Sequence, residues 1–346
     1  MTISRIFFSA DEDYLAVAAD ELRHAFPSAA IDLIGPDIGA FEDEGVSIAT
    51  LATTIQERHL AFTRHLMRGV GQVKLAQAAD LDALGEQALA LWRQFPIPAS
   101  VSLHVWMSGH VDLPYRTDEL WRHLAGVLTE TGIAVARGGE SHILSACVTP
   151  KGILLGSNGR ANALADWPGG RVRLAKPKGQ ISRAEFKLEE LFRSGAVALP
   201  PRGAALDLGA SPGGWSRILL ERGFEVWAVD PAALDPRLAN APGLHHVETT
   251  AGPFLAETKQ AFDLVVNDMR MIPGLSAQVM ISAARHLAPD GLAIMTLKLA
   301  PRDALRTVRD TFKVLRRAYE IVYARQLHHN RNEITVVARA KGSATG

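Results

Sequence analysis

The stretch LDLGASPGGWSR, residues 206–217, decides how this chain is read. An apolar run carries Asp207 near its end and then breaks into a loop holding Gly209, Gly213 and Gly214. Ser216 and Arg217 open a helix-like segment. A glycine loop between a strand and a helix is where α/β proteins hold a cofactor. The spacing Gly209-x-x-x-Gly213-Gly214 is not the G-x-G-x-x-G of dinucleotide folds, and Trp215-Ser216 stands where a P-loop would carry Lys and Ser or Thr. No lysine is placed for a phosphate, and the glycines would let the backbone approach another ligand closely. Asp230 ends the next strand, about 20 residues on, where an acid takes both hydroxyls of a ribose. That position suits NAD as well as S-adenosylmethionine and does not choose between them.

Outward from the loop, a rhythm of strands and helices runs to the C-terminal end. A helix is expected over 182–194, strands at AALDLG (204–209), EVWAVD (225–230), HHVET (245–249), FDLVVND (262–268) and GLAIMTLKL (291–299), and helices to Arg222, over 276–287 and over 302–318. IVYARQL (321–327) and EITVVARA (333–340) close as a hairpin around HHNRN. Strands that are apolar throughout and alternate with helices indicate a parallel sheet covered on both faces, and the closing hairpin adds an antiparallel strand. That combination is the pattern of S-adenosylmethionine-dependent methyltransferases. Upstream, RIFFSA (5–10), GVSIATL (45–51), QVKLA (72–76) and VSLHVWM (101–107) read as strands. Residues 12–25, 79–93 and 117–130 read as helices, and 143–157 as a hairpin. These pieces suggest small α+β domains.

Composition sets the outer bounds. The 346 residues are 47% apolar and 21% charged, with 37 Lys+Arg against 37 Asp+Glu, as in a globular protein of two or three domains. No apolar run reaches the roughly 18 residues of a membrane span. The opening MTISRIFFSADEDY carries no signal-peptide core, and Cys147 has no disulfide partner, so a cytoplasmic location is expected. Between Lys151 and Arg183 seven basic residues (Lys151, Arg160, Arg171, Arg173, Lys176, Lys178, Arg183) face one acid, Asp166, among several Pro and Gly. That reads as a basic connector able to meet RNA phosphates, or equally as a solvated linker.

The motif D-L-G-A-S-P-G-G-W-S at 207–216 resembles the cofactor motif of the FtsJ-like ribose 2'-O-methyltransferases. That family carries a Lys–Asp–Lys–Glu tetrad, and each member has a matching position. Lys187 lies in S-R-A-E-F-K-L, Asp268 in VVNDM, Lys298 in MTLKL and Glu333 in NRNEITV. The segments Lys187-Leu-Glu-Glu-Leu-Phe, Ala324-Arg-Gln-Leu-His-His and Asn332-Glu-Ile-Thr-Val resemble the RlmM-type branch, which methylates a cytidine ribose of large-subunit ribosomal RNA.

The resemblance implies a Rossmann-like methyltransferase domain over 182–346. Before it would come a ferredoxin-like α+β segment (1–75), a THUMP-like RNA-binding domain (76–165) and a basic linker (166–181). It implies S-adenosylmethionine held by Asp207, Gly209, Ser211, Pro212, Gly213, Gly214, Asp230, Thr250 and Asp268, with Trp215 packed beside it. RNA would meet Arg160, Arg171, Arg173, Lys176, Lys178 and Arg183. The chain departs from the branch at Thr250, where an acid holds the adenine amino group; Glu248 is the nearest carboxylate. It also departs at Ala184, where the branch has serine.

Such chemistry needs this residue set. A ribose hydroxyl is a weak acid and a poor nucleophile, so a protein must hold it in line with the methyl group and help remove its proton. Lys298 would act as a base if neutral or as a charge stabiliser if protonated; Lys187 disfavours its charge and Asp268 favours it. A cytosine-C5 enzyme needs a cysteine nucleophile, and Cys147 lies outside the cofactor region. Amino-group enzymes carry an Asn/Asp-Pro-Pro-Tyr/Phe segment where this chain reads Asn267-Asp268-Met269-Arg270. His328-His329 has no Cys/His cluster to make it a metal site. Rival readings are a tRNA methyltransferase, a non-catalytic module that binds RNA and S-adenosylmethionine, and a nicotinamide-dependent oxidoreductase.

Overall fold

A computed structural model describes residues 5–75 and 80–342 and divides into two compact units, 1–172 and 173–346. In the first unit, strands β1 (Ile6–Ser9), β2 (Ala30–Leu33), β3 (Ile38–Glu42), β4 (His65–Val73), β5 (Ser100–Met107), β6 (Ala134–Ala136), β7 (His142–Thr149) and β8 (Gly152–Gly159) form one mixed sheet. Its order is β2-β3-β1-β4-β8-β7-β5-β6. Helices α1 (Leu15–Ala25), α2 (Ile48–Glu57), α3 (Leu81–Trp92) and α4 (Thr117–Glu130) pack on it. The sheet runs across the division expected near residue 75, because β4 pairs antiparallel with β8.

Two of the strands read in the sequence differ in the structure, and β2, β3 and β6 have no counterpart in that reading. Residues 45–51 are not a strand: Ser47 caps α2, its hydroxyl accepting from Thr50 N at 3.1 Å, and Leu51, Ala52 and Ile55 bury one helical face. A short window holding Val46, Ile48 and Leu51 satisfies strand and helix periods alike, and the cap decides. The strand read at 72–76 is the end of the longer β4, whose polar start at His65 concealed it; Ala76 lies outside the described residues.

The second unit follows the expected alternation closely. Strands β9 (Gly203–Leu208), β10 (Phe224–Val229), β11 (Leu244–Val247), β12 (Phe262–Asn267), β13 (Leu287–Lys298), β14 (Tyr319–Arg325) and β15 (Glu333–Ala340) form a sheet in the order β11-β10-β9-β12-β13-β15-β14. β9 to β13 pair in parallel, and β15 runs antiparallel between β13 and β14. Helices α5 (Glu185–Ser194), α6 (Gly214–Glu221), α7 (Ala251–Glu257), α8 (Pro273–Ala283) and α9 (Ala304–Leu315) accompany the sheet. Leu188, Leu191, Trp215, Ile218 and Leu219 pack on Ala205, Val226, Leu264 and Ile294, so α5 and α6 share a core with the strands. The chain reverses between β9 and β12, and the carboxyl ends of those strands flank the crevice where ligands bind in such sheets. No helix among the described residues is long and apolar enough to cross a membrane.

Candidate active site

A cavity of about 1340 Å³ opens at this end of the second sheet, lined by residues of the segments 182–187, 209–212, 229–231, 249–251, 268–273, 298–299 and 329–333. The four charged residues singled out in the sequence all meet there. Asp268 follows β12 directly, and Lys298 ends β13. Because β15 runs the opposite way, its first residue, Glu333, pairs in register with Lys298. Lys187 reaches the group from the first turn of α5.

The contacts form a closed ring of charge. Lys187 Nζ lies 3.0 and 2.9 Å from the two Asp268 oxygens and 2.6 Å from Glu333 Oε1. Lys298 Nζ donates to Asp268 Oδ1 at 2.8 Å, to Thr296 Oγ1 at 2.9 Å and to Glu333 Oε2. Side-chain exposure is 12% for Lys187, 17% for Asp268, 27% for Lys298 and 7% for Glu333, so the ring is sheltered yet reachable. Two cations and two anions cancel. Burial alone would raise the Asp268 pKa, but Lys187 and Lys298 outweigh it and hold the carboxyl below its ordinary range. Burial likewise opposes charge on Lys298, and Asp268 and Glu333 outweigh it, so the amine is held above its ordinary value. The competition left open by the sequence is thus won by the carboxylates, and the resting Lys298 is an ammonium.

Thr296 was not apparent from the sequence. It lies two residues before Lys298, on the same face of β13, and donates to Asp268 Oδ1 at 2.6 Å. Asn267, fully buried, accepts from Met269 N at 2.9 Å and donates to Ser276 at 3.2 Å, which fixes the turn that presents Asp268.

The glycine loop divides its labour in an unexpected way. Gly209, Ser211 and Pro212 line the cavity, whereas Gly213 and Gly214 do not. Gly209 has φ +73°, and a Cβ there would lie 2.1 Å from Met269 Cγ. At Gly214 a Cβ would lie 2.2 Å from the Ser182 hydroxyl, so this glycine serves the close packing of α6 on the segment leading into α5. Asp230 holds the loop by accepting from Ser211 N at 3.1 Å and Ala232 N at 2.8 Å, with its carboxylate still on the cavity wall.

Asp207 and Trp215 are buried beneath the loop rather than on the cavity wall. The Trp215 indole donates to the Ala184 carbonyl at 2.8 Å, and Asp207 accepts from Ser216 Oγ at 2.7 Å. Burial pushes the Asp207 carboxyl up to about 7, against the opposing Ser216 hydrogen bond. Thr250 lines the cavity; Glu248 is exposed and does not.

The ligands of an S-adenosylmethionine molecule find matching chemistry here. Asp230 offers a carboxylate able to take a ribose diol, the 209–212 backbone offers a close approach, and Thr249 and Thr250 offer small polar groups on the cavity wall.

The basic residues separate into two groups. Arg171 is tied to Asp37, and Arg160 lies 3.7 Å from Asp166, so both are partly neutralised. Arg173, Lys176 and Lys178 are exposed. Arg183 is exposed and lines the cavity with Arg270 and Arg331, two residues that the sequence reading passed over because each stands alone between uncharged or acidic neighbours. Cys147 is buried in the first unit, where burial pushes its thiol well up.

The FtsJ-like methyltransferase family model matches residues 180–333. The Ribosomal RNA large subunit methyltransferase M of Laribacter hongkongensis is 30% identical over 316 residues, 84% of this chain and 83% of that protein. The protein of the same name from Halorhodospira halophila is 39% identical over 183 residues, 51% of this chain and 52% of that protein. Among solved structures, TrmN from Thermus thermophilus aligns over 97% of this chain and 100% of that chain at 16% identity and a TM-score of 0.40. Identity at this level across more than four-fifths of both chains, together with the tetrad, places the chain in the Ribosomal RNA large subunit methyltransferase M family, within the FtsJ-like methyltransferases.

Proposed function

We propose that the chain transfers a methyl group from S-adenosylmethionine to a ribose 2'-hydroxyl of 23S ribosomal RNA. The observation that carries this reading is the Lys187–Asp268–Lys298–Glu333 ring at the wall of a cavity large enough for cofactor and nucleoside together. Bound S-adenosylmethionine supplies an electrophilic methyl on a sulfonium. Asp230, the 209–212 backbone and Thr250 hold it. Transfer of that methyl would join it to the hydroxyl oxygen as its bond to sulfur breaks, so the protein's residues must hold the hydroxyl in line and take its proton.

Lys298 is clamped by two carboxylates and begins as an ammonium, so its first task is to orient the ribose oxygen by donating a hydrogen bond. A ribose that takes the place of Glu333 at Lys298 removes one of the two forces that hold the amine charged. The ammonium then releases a proton to solvent, and the neutral amine takes the hydroxyl proton as the methyl is transferred, with Asp268 and Lys187 keeping their charges balanced.

The exposed Arg173, Lys176, Lys178 and Arg183 support a role for the connector in gripping RNA through phosphates, joined by Arg160 and Arg171 where RNA outcompetes their carboxylates. We assign the first unit to RNA binding as well, with a ferredoxin-like segment over 1–75 and a THUMP-like domain over 76–165. Action on ribosomal RNA carries with it a cytoplasmic site of work.

The test uses labelled S-adenosylmethionine with large-subunit ribosomal RNA from a strain lacking this protein. Label in an alkali-resistant dinucleotide, lowered about 10²–10³-fold in Lys298→Ala, supports the reading. Lys298→Arg, which keeps the charge but cannot give up its proton, should be equally slow. Label on a base would overturn ribose chemistry; label only on tRNA would overturn the substrate. No label on any RNA would favour a module that binds without catalysing.

A further inference from the structure

Beside the tetrad, helix α5 makes a second bridge to the same C-terminal loop. Glu190, 4% exposed, accepts from the backbone N–H of His328 at 2.8 Å and of His329 at 2.9 Å. Its Oε2 also lies 2.6 Å from His329 Nδ1. Since the carboxylate can only accept, Nδ1 carries a proton. The imidazole stacks on Phe186 with centroids 4.9 Å apart and planes 24° from parallel. Phe186, Lys187 and Glu190 recur at three- and four-residue steps along α5, so one helical face presents them, and Arg183 lies in the turn that leads into it.

The ring is therefore held on one edge and one face. His329 lines the same cavity as the tetrad, and its Nε2 has no hydrogen-bond partner among the described residues. Arg183 and Arg331 line that cavity too, both exposed and without an ion pair among the described residues. The contrast with the interior is chemical. The lysines of the tetrad are neutralised by Asp268 and Glu333, whereas the arginines keep their charge for a ligand. A polyanion fits that arrangement, and a fixed ring nitrogen on the same cavity wall as two guanidinium groups without ion pairs fits a phosphodiester oxygen.

We propose that His329 is a substrate-contacting residue, which with Arg183 and Arg331 seats a phosphodiester of the RNA strand beside the ribose being methylated. Glu190 is a positioning residue that fixes the tautomer and the aim of His329. This inference rests on the reading of RNA as the substrate and names the part of the RNA that the rim holds.

The test is steady-state methyl transfer to large-subunit ribosomal RNA, with the salt dependence of RNA binding measured in parallel. His329→Ala should raise KM for RNA about tenfold while kcat stays within about twofold. The Kd for S-adenosylmethionine should not move. His329→Gln, whose amide places a donor near the position of Nε2, should recover part of the loss.

Glu190→Gln should raise KM in the wild-type background and add nothing in the His329→Ala background. A merely structural role for Glu190 would instead add its own loss. Arg331→Ala, an exposed change that leaves folding intact, should lower the slope of log K against log salt by about 0.7, the value of one phosphate contact on a single strand. Unchanged KM in His329→Ala, or an unchanged salt slope in Arg331→Ala, overturns the proposal while leaving RNA methylation standing. A wild-type enzyme that labels no ribosomal RNA instead overturns the function on which the proposal rests.

Discussion

In the second unit, Lys187, Asp268, Lys298 and Glu333 bury two cations and two anions against one another. In the first unit, His65 and His104 are buried with rings 5.8 Å apart, with Asp166 Oδ1 3.3 Å from His104 Nε2 but out of line for a hydrogen bond. The tetrad meets its burial with partners: each charged group touches at least two others. The histidines do not, and His65 Nε2 and both His104 nitrogens lack a hydrogen-bond partner. Burial, aided by the neighbouring His104, therefore drives the His65 pKa down to about 3, although the Ala165 carbonyl opposes it. The same physical cost leaves Asp268 and Lys298 charged and His65 neutral. What differs is the supply of opposite charge within hydrogen-bond reach.

The largest expected effect breaks the paired cluster. Asp268→Asn keeps the shape and removes the charge that both lysines share. Methyl transfer should fall about 10²–10³-fold. The second unit should lose about 3 kcal/mol, the lower end for a broken buried pair because the ring borders an open cavity. Turnover within tenfold of wild type would show that charge balance in the tetrad matters little.

Next comes the pH response of the unpaired cluster. The folded His65 pKa lies below the unfolded value of about 6.5, so below that pH the unfolded chain takes up a proton that the native chain refuses. Stability is then lost as pH falls towards the folded value, by about 2 kcal/mol between pH 7 and pH 5. Denaturant unfolding of wild type and His65→Gln should show this loss only in the wild type. Asp268 and Lys298 should contribute nothing to it. Lowered Asp268 confines its loss of stabilisation to pH below about 4, and raised Lys298 to pH above about 10.5.

A smaller effect sharpens the contrast at Asp207. Its folded pKa, near 7, is above the unfolded value of about 3.9, so the native state is penalised as pH rises between them. Asp207→Asn should flatten that decline; an unchanged pH slope would mean that the carboxyl is not the source. Smallest is Thr296→Val. Loss of its hydrogen bond to Asp268 should cost about threefold in rate with stability lowered by about 1 kcal/mol. A change in KM for RNA without a change in kcat would point instead to a disturbed cavity wall.

Much of the second unit could be read in advance, because its signals are local. Apolar runs bounded by glycine and charge give parallel strands, and a strand–loop–helix turn gives the ligand crevice. The antiparallel final strand was implied by the short HHNRN connection. The first unit is less transparent: β2, β3 and β6 carry no clear sequence signal and α2 reads as a strand, since short half-buried segments satisfy two periods at once. In the site, the tetrad is legible through its resemblance to the FtsJ-like family, since by local pattern alone its members are four single charges in separate elements. Arg270 and Arg331 were missed because solitary arginines carry no pattern. His328-His329 was weighed only as a metal pair, because its partner Glu190 stands more than a hundred residues away.

The sequence by itself determined the alternation of elements, the glycine loop and the identity of the charged groups at the strand ends. These follow from hydrophobic period and from the residue types that terminate a strand. Tertiary structure alone decided that Lys298 rests charged, that Gly214 serves packing, and that Arg183, Arg331 and His329 share one rim with the tetrad. Those outcomes depend on burial and on distances between groups far apart in the chain. Such distances fix the energy of a charge, and no local pattern of residues encodes them.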